Sequence, residues 1–67
     1  MGSLGEEFPK EQARVRQILG IYKEIGPAGR LGAALIEQAL RKADEAAISG
    51  SILAMLLAYD ELKAIKE

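Results

Sequence analysis

Two short breaks divide this sequence into three stretches, and each stretch spaces its apolar residues as an α-helix does. Gly26-Pro27 forms the first break, because the residue before a proline is pushed out of α-helical geometry. Ser49-Gly50-Ser51 forms the second, since Gly50 can end one helix in the left-handed conformation and Ser51 can cap the next. A linker this short predicts an antiparallel hairpin of helices two and three. The sequence therefore predicts an all-α fold, a compact three-helix bundle.

The predicted domain spans residues 8–67 and follows a flexible N-terminal arm over residues 1–7. The first helix opens at Phe8-Pro9, with the proline near its first position. The second runs from Pro27 to about Ile48, and the third from Ile52 to about Ile65. The first helix is expected to bury Val15, Ile18, Leu19, Tyr22 and Ile25. The inner arc of the second is expected to comprise Gly32, Leu35, Ile36, Ala39, Leu40, Ala43, Ala46 and Ala47.

Composition excludes most catalytic and cofactor chemistry. The 67 residues contain no Cys, His or Trp, and nine basic against ten acidic side chains leave a net charge of −1. A disulfide scaffold, a Cys/His zinc site and a Ser–His or Cys nucleophile are all ruled out. Neighbouring carboxylates such as Asp44 and Glu45 diverge by 100° on a helix and do not converge on a substrate. We therefore expect a protein that is not an enzyme, with no catalytic residue, cofactor or metal site.

The third helix carries more apolar surface than a monomer of this size can cover. Residues 52–59 form an unbroken apolar run, so the first two turns are apolar on every side. One face, Ile52, Met55, Leu56, Tyr59 and Leu62, is expected to dock on the other helices. Leu53, Leu57 and Ala64 then form a second stripe, whose two leucines either pack on helix one or meet a partner. The predicted interface consists of Ile52, Leu53, Leu56, Leu57 and Tyr59.

Small size favours a partner, because a chain this short buries only about 60% of the surface of its unfolded form. Our first hypothesis is self-association into a homo-oligomer through the third helix. The alternative is an adaptor that binds an amphipathic helix of another protein. A third hypothesis is a weak anion or nucleic-acid binder, with Arg30 at the start of helix two as the anion contact. It would also use the basic residues of helix one, which are Lys10, Arg14, Arg16 and Lys23. Near-neutral charge makes nucleic acid an unfavoured partner. The absence of an apolar run of membrane-spanning length predicts a cytoplasmic protein without membrane contact.

Several short strings give the chain a resemblance to small uncharacterised all-helical proteins of bacteria and their prophages. They are Phe8-Pro9-Lys10-Glu11-Gln12, the string from Tyr22 to Gly29, and Ala43-Asp44-Glu45-Ala46-Ala47. The resemblance implies a small helical protein and no particular activity. Ser51 and Leu57 stand where such a protein would favour Asp and a basic residue. These two residues would be explained by an interface that was engineered onto a natural scaffold, and equally by an interface that evolved.

Overall fold

The computed structural model describes residues 3–66, and Met1, Gly2 and Glu67 lie outside this range. Its elements are α1 (Leu4–Ile25), a 3-10 turn (Gly26–Gly29), α2 (Arg30–Ser49) and α3 (Ile52–Ala64). Residues 3–66 contain no β-strand, so the all-α prediction is confirmed. The first two predicted helices are less distinct than expected. Helical structure continues from Leu4 to Ser49 without a loop, as one long segment bent at the 3-10 turn.

The first helix begins earlier than predicted. Helical structure starts at Leu4 and not at Phe8, and the amides of Glu6 and Glu7 donate to the Ser3 carbonyl oxygen at 3.0 and 2.8 Å. Both carboxylates lie in the first turn, where the helix dipole favours negative charge. Residues 4–7, which were predicted to belong to the flexible arm, are therefore helical. Pro9 lies inside the helix, one turn later than the position expected for it.

The bend between α1 and α2 depends on close backbone approach. Gly26 ends α1 with φ 84°, a conformation that side chains rarely adopt, and its amide donates to the carbonyl of Lys23. Gly29 lies so close to the carbonyl oxygen of Tyr22 that a Cβ atom would collide with it. A Cβ on Gly32 would lie 2.5 Å from the Tyr22 ring. The two glycines therefore let the start of α2 close over Tyr22.

The second break follows the sequence prediction. Gly50 has φ 72° in the left-handed region and ends α2. Ser51 is the N-cap of α3, and its side-chain oxygen accepts a hydrogen bond from the Ala54 amide at 3.2 Å. A serine in this position satisfies one of the free amides of the first helical turn. Both roles predicted for these residues are confirmed.

The core lies between the three α-helices, each of which contacts the other two. Val15, Ile18, Leu40 and other predicted core residues are buried. The prediction was wrong for Ile25, Leu35 and Ala47, which are exposed. It also missed Phe8 and Ala33, both buried. Within residues 3–66, the buried apolar side chains are Phe8, Val15, Ile18, Ala33, Ile36, Leu40, Ala43, Ala46, Ala58 and Leu62.

Candidate interaction surface

Four large aliphatic side chains cover the outward face of α3. Ile52, Leu53, Leu56 and Leu57 expose between 47 and 68% of their surface. They occupy positions i, i+1, i+4 and i+5 of one helix, so they form a single continuous surface over two turns. We call these four residues the α3 patch. They are four of the five residues predicted as an interface, and the structure brings them together.

Tyr59, the fifth predicted interface residue, lies at the edge between the α3 patch and the buried face of the helix. It is partly buried against the core, and the ammonium of Lys63 lies 5.4 Å from the centre of its ring. Leu62, which the prediction placed on the docking face, is completely buried. Tyr59 therefore helps attach α3 to the rest of the molecule.

The orientation of α3 differs from the prediction. Ala58 and Leu62 are the buried residues of this helix, and Ala54, Met55, Tyr59 and Ile65 are partly buried beside them. The expected docking face was wrong for Ile52 and Leu56, which point outward with the α3 patch. The alternative that Leu53 and Leu57 pack on helix one is also wrong, because both are largely exposed.

Side-chain size explains this orientation. Ala43 and Ala46 are buried on α2, and buried Ala58 belongs to the same core cluster. Alanines on both helices allow their axes to come close, whereas leucines at the contact would hold them apart. The pattern of alanines on both helices was the signal in the sequence that could have identified the inner face, since hydrophobicity alone does not distinguish the sides of α3.

Arg14 fastens the C-terminal end of α3 to α1. Its guanidinium donates to the carbonyl oxygens of Leu62 and Ile65, each at 2.9 Å, and to the Glu11 carboxylate at 2.9–3.3 Å. Carbonyls in the last turn of a helix have no partner within that helix, so these bonds satisfy them. The hydrogen bond with Glu11 raises the pKa of Arg14 above its usual value.

The basic residues of α1 do not form a free cationic surface. Each lies within 4.0 Å of a carboxylate: Lys10 with Glu7, Arg14 with Glu11, Arg16 with Asp44, and Lys23 with Glu37. A nucleic-acid surface needs cations available to phosphates. The arrangement therefore gives no support to nucleic-acid binding.

Arg30, the predicted anion contact, is exposed at the first position of α2. It lines a shallow surface cavity of about 400 Å³ together with Lys23 and Glu37. The Glu37 carboxylate lies 3.9 Å from the Lys23 ammonium and brings negative charge into the cavity. The second cation of the cavity, Lys23, is thus offset by Glu37, which leaves Arg30 and the helix terminus as the groups that favour an anion.

Within residues 3–66, no group of acidic side chains is placed to hold a metal ion. No helix in the same range combines the length and apolar character needed to cross a membrane. No family model matches the chain, and no curated protein or solved structure is significantly similar to it. The resemblance to small bacterial and prophage proteins therefore stays a prediction.

Proposed function

We propose that this chain is a non-enzymatic interaction protein, a small three-helix bundle that associates with a second copy of itself through the α3 patch. The observation that carries the proposal is the exposure of Ile52, Leu53, Leu56 and Leu57 on one face of a 13-residue helix. Single exposed aliphatic residues are normal on a protein surface. A continuous group of four is typical of an interaction site.

The energy available from the α3 patch fits weak, concentration-dependent association. Full burial of one Leu or Ile side chain contributes about 1.5–3 kcal/mol, so the exposed part of the patch is worth roughly 4–7 kcal/mol per copy. Loss of rotational and translational freedom costs an estimated 4–15 kcal/mol. Two patches together contribute about 8–14 kcal/mol, which is of the same size as that cost. We therefore expect a surplus of about 4–8 kcal/mol at most, which corresponds to a dissociation constant in the micromolar to millimolar range.

A second copy is a suitable partner on electrostatic grounds. The four patch residues are all uncharged, and the net charge of −1 per chain produces little repulsion between copies. Closed pairs related by a two-fold axis are the commonest homo-oligomers, because each copy offers the same surface. Self-association would also compensate for the limited core of a 67-residue chain.

Light scattering during size-exclusion chromatography tests this proposal. We expect the mass of the wild-type chain to rise from monomer to dimer as the loaded concentration increases from about 5 µM to about 1 mM, the range set by the dissociation constants above. Leu57→Glu should remain monomeric throughout, because a buried unpaired carboxylate is costly. Ile48→Glu is the matched control. Ile48 is 86% exposed and is rotated by 200° from buried Ala46, away from α3.

A wild-type mass that stays monomeric over the whole range overturns self-association. In that case the α3 patch would have to bind an amphipathic helix of another protein, as in the adaptor hypothesis. Equal association of Leu57→Glu and the wild type would also contradict the proposal, since it would place the interface elsewhere. Circular dichroism of both variants establishes that their helices are intact.

A further inference from the structure

The third helix is much shorter than the two helices on which it packs. Arg14 marks the place where α3 ends beside α1, because its guanidinium bonds to the carbonyls of Leu62 and Ile65. Beyond Arg14, α1 continues to Ile25, a distance of roughly 16 Å at the helical rise per residue. Among residues 3–66, this end of the molecule is formed by α1, α2 and the turn between them, and Ala64, Ile65 and Lys66 border it on one side.

The row of α1 side chains that faces α3 stays apolar beyond this point. Arg14, Ile18, Ile21 and Ile25 follow one another at intervals of three or four residues and so lie along one side of the helix. Ile18 is buried, whereas Ile21 and Ile25 are 42 and 55% exposed. Exposure therefore rises along the row where the cover provided by α3 ends.

The opposite wall of this uncovered region is formed by α2. A shallow cavity of about 260 Å³ lies there, with Tyr22, Gly32, Leu35 and Ile65 among its lining residues. Leu35 is 59% exposed. We call the surface formed by Ile21, Tyr22, Ile25, Gly32 and Leu35 the open groove. Its floor is the Tyr22 ring over Gly32, its side walls are the aliphatic residues named above, and Lys66 lies with Ile65 at the end next to α3.

The open groove and the α3 patch lie on the same side of the molecule. The groove continues the track on α1 and α2 that α3 occupies, and the patch is the outer face of α3 itself. This side therefore has the shape of a step, with α3 raised at one end and the groove at the other. The 13 residues of α3 are about 20 Å long, close to the roughly 16 Å of uncovered α1.

We infer that the α3 patch of a second copy occupies the open groove, and that the two copies do this reciprocally about a two-fold axis. This inference rests on the self-association proposed above and names the surface that receives the patch. Because a step is complementary to its own two-fold copy, the raised helix of each chain would lie over the low end of its partner.

The area required by a stable dimer favours the open groove over direct contact between patches. A helix face about 20 Å long and about 10 Å wide is far smaller than the roughly 800 Å² that each partner usually buries. Reciprocal seating doubles the buried surface to roughly 400 Å² per chain, since each chain contributes both a patch and a groove, and an interface of this size fits weak association. It also covers Ile21, Ile25 and Leu35, which patch-to-patch contact would leave in water.

Charged variants of the two surfaces test the inference. A groove variant carries Ile25→Lys and Leu35→Lys, and a patch variant carries Leu53→Glu and Leu57→Glu. The control, Ala13→Lys with Ile48→Lys, places the same charges at exposed positions on other faces. Sedimentation velocity at about 1 mM, within the concentration range argued above, measures the mass of each chain and of a 1:1 mixture.

We expect dimers of the wild type and the control, and monomers of either surface variant alone. The mixture should form a mixed dimer, because lysines in one groove meet glutamates on the patch of the other chain while the second contact is wild-type. Dimerisation of the groove variant at the wild-type level would overturn the inference and leave the proposed function standing. A monomeric mixture of folded variants would also overturn it. A monomeric wild type would overturn both.

Crosslinking keeps the inference testable if the charged variants fail to fold. The chain has no cysteine, so Leu57→Cys and Ile25→Cys each introduce a single reactive thiol. A short bis-maleimide crosslinker should join the two variants in a mixture at least several-fold more efficiently than it joins Leu57→Cys to itself. The reverse preference would show that patch meets patch and would contradict seating in the open groove.

Discussion

Arg14 in the middle of α1 donates a hydrogen bond from its Nη2 atom to the carbonyl oxygen of Leu62, 2.9 Å away in the last turn of α3. The same oxygen accepts the amide of Ile65, 3.1 Å away. Leu62 is also fully buried, so one residue joins α3 to the core through its side chain and to α1 through its backbone. This contact fixes both the position at which α3 ends and the length of groove left beyond it.

Loss of Arg14 should release the end of α3. We expect Arg14→Met, which keeps an aliphatic stem, to lower the free energy of unfolding in urea by about 1–3 kcal/mol, because the last-turn carbonyls lose hydrogen bonds from a charged donor. Arg16→Met is the matched control. Arg16 pairs with Asp44 at 3.1 Å between two half-exposed side chains, and such a pair is worth about 0–1 kcal/mol. Equal losses in both variants would contradict the special role of Arg14.

The contribution of Arg14 should not change between mildly acidic and mildly alkaline pH. Its pKa is raised in the folded chain, chiefly by the hydrogen bond to Glu11. A raised pKa stabilises the fold fully below the unfolded value, and this stability is lost only as the pH rises through the folded value. Both values for an arginine lie far above neutrality. Urea unfolding of wild type and Arg14→Met at pH 6 and pH 9 should therefore give the same difference in stability.

Glycines at three positions should respond differently to alanine. Gly29→Ala forces a Cβ against the Tyr22 carbonyl, and Gly32→Ala forces one against the Tyr22 ring. We expect losses of about 1–3 kcal/mol, larger at Gly29 because backbone yields less than a side chain. Gly20 lies inside α1 with nothing near its added Cβ, so Gly20→Ala should stabilise the chain by about 0.5–1 kcal/mol through helix propensity. Thermal unfolding at low protein concentration provides the ranking, and a loss at Gly20 would contradict it.

The second chain break follows from local residue types, whereas the orientation of α3 could be predicted only by comparing the alanines of α2 and α3. Gly50 and Ser51 act through local backbone geometry, which residue type alone predicts. The start of α1 at Leu4 was missed because residues 3–7 show no apolar periodicity, although Leu4 packs against the core. The inner face of α3 depends on how closely it approaches α2, a property of the pair and not of either helix.

The α3 patch and the open groove also differ in how well the sequence predicts them. The excess of apolar residues on α3 is visible in the sequence, so the four residues of the α3 patch could be predicted. Tyr59 was predicted with them and does not belong to the patch. The open groove could not, because Ile25 and Leu35 occupy positions with core spacing on α1 and α2. Both are more than half exposed, and the last turn of α3 is held beside Arg14, which precedes Ile25 by 11 residues on α1. Helix spacing predicts which way a side chain points, but not whether a neighbour covers it.

The N-cap of α3 offers a comparison between two serines. Ser51 accepts the Ala54 amide, whereas Ser3, the N-cap of α1, makes no side-chain cap bond. Ser51→Ala should therefore cost about 0.5–2 kcal/mol, and Ser3→Ala clearly less. Ser51→Asp should match or exceed the wild type, since a carboxylate at a helix N-terminus also interacts favourably with the dipole. Urea titration measures all three, and equal losses at Ser3 and Ser51 would show that the cap bond is unimportant.

Truncation on opposite faces of α3 separates folding from association. Leu62 is fully buried, so Leu62→Ala should cost about 2–5 kcal/mol and reduce the helical circular dichroism signal even in dilute solution. Leu56→Ala removes the same atoms from an outward position and should cost less than about 1 kcal/mol at low concentration. At high concentration, association through the α3 patch should add a second difference between Leu62→Ala and Leu56→Ala. Binding to the folded state raises the unfolding temperature, so the wild-type value should rise with protein concentration, and Leu56→Ala should weaken that rise. An unchanged concentration dependence in Leu56→Ala would mean that the α3 patch does not mediate association.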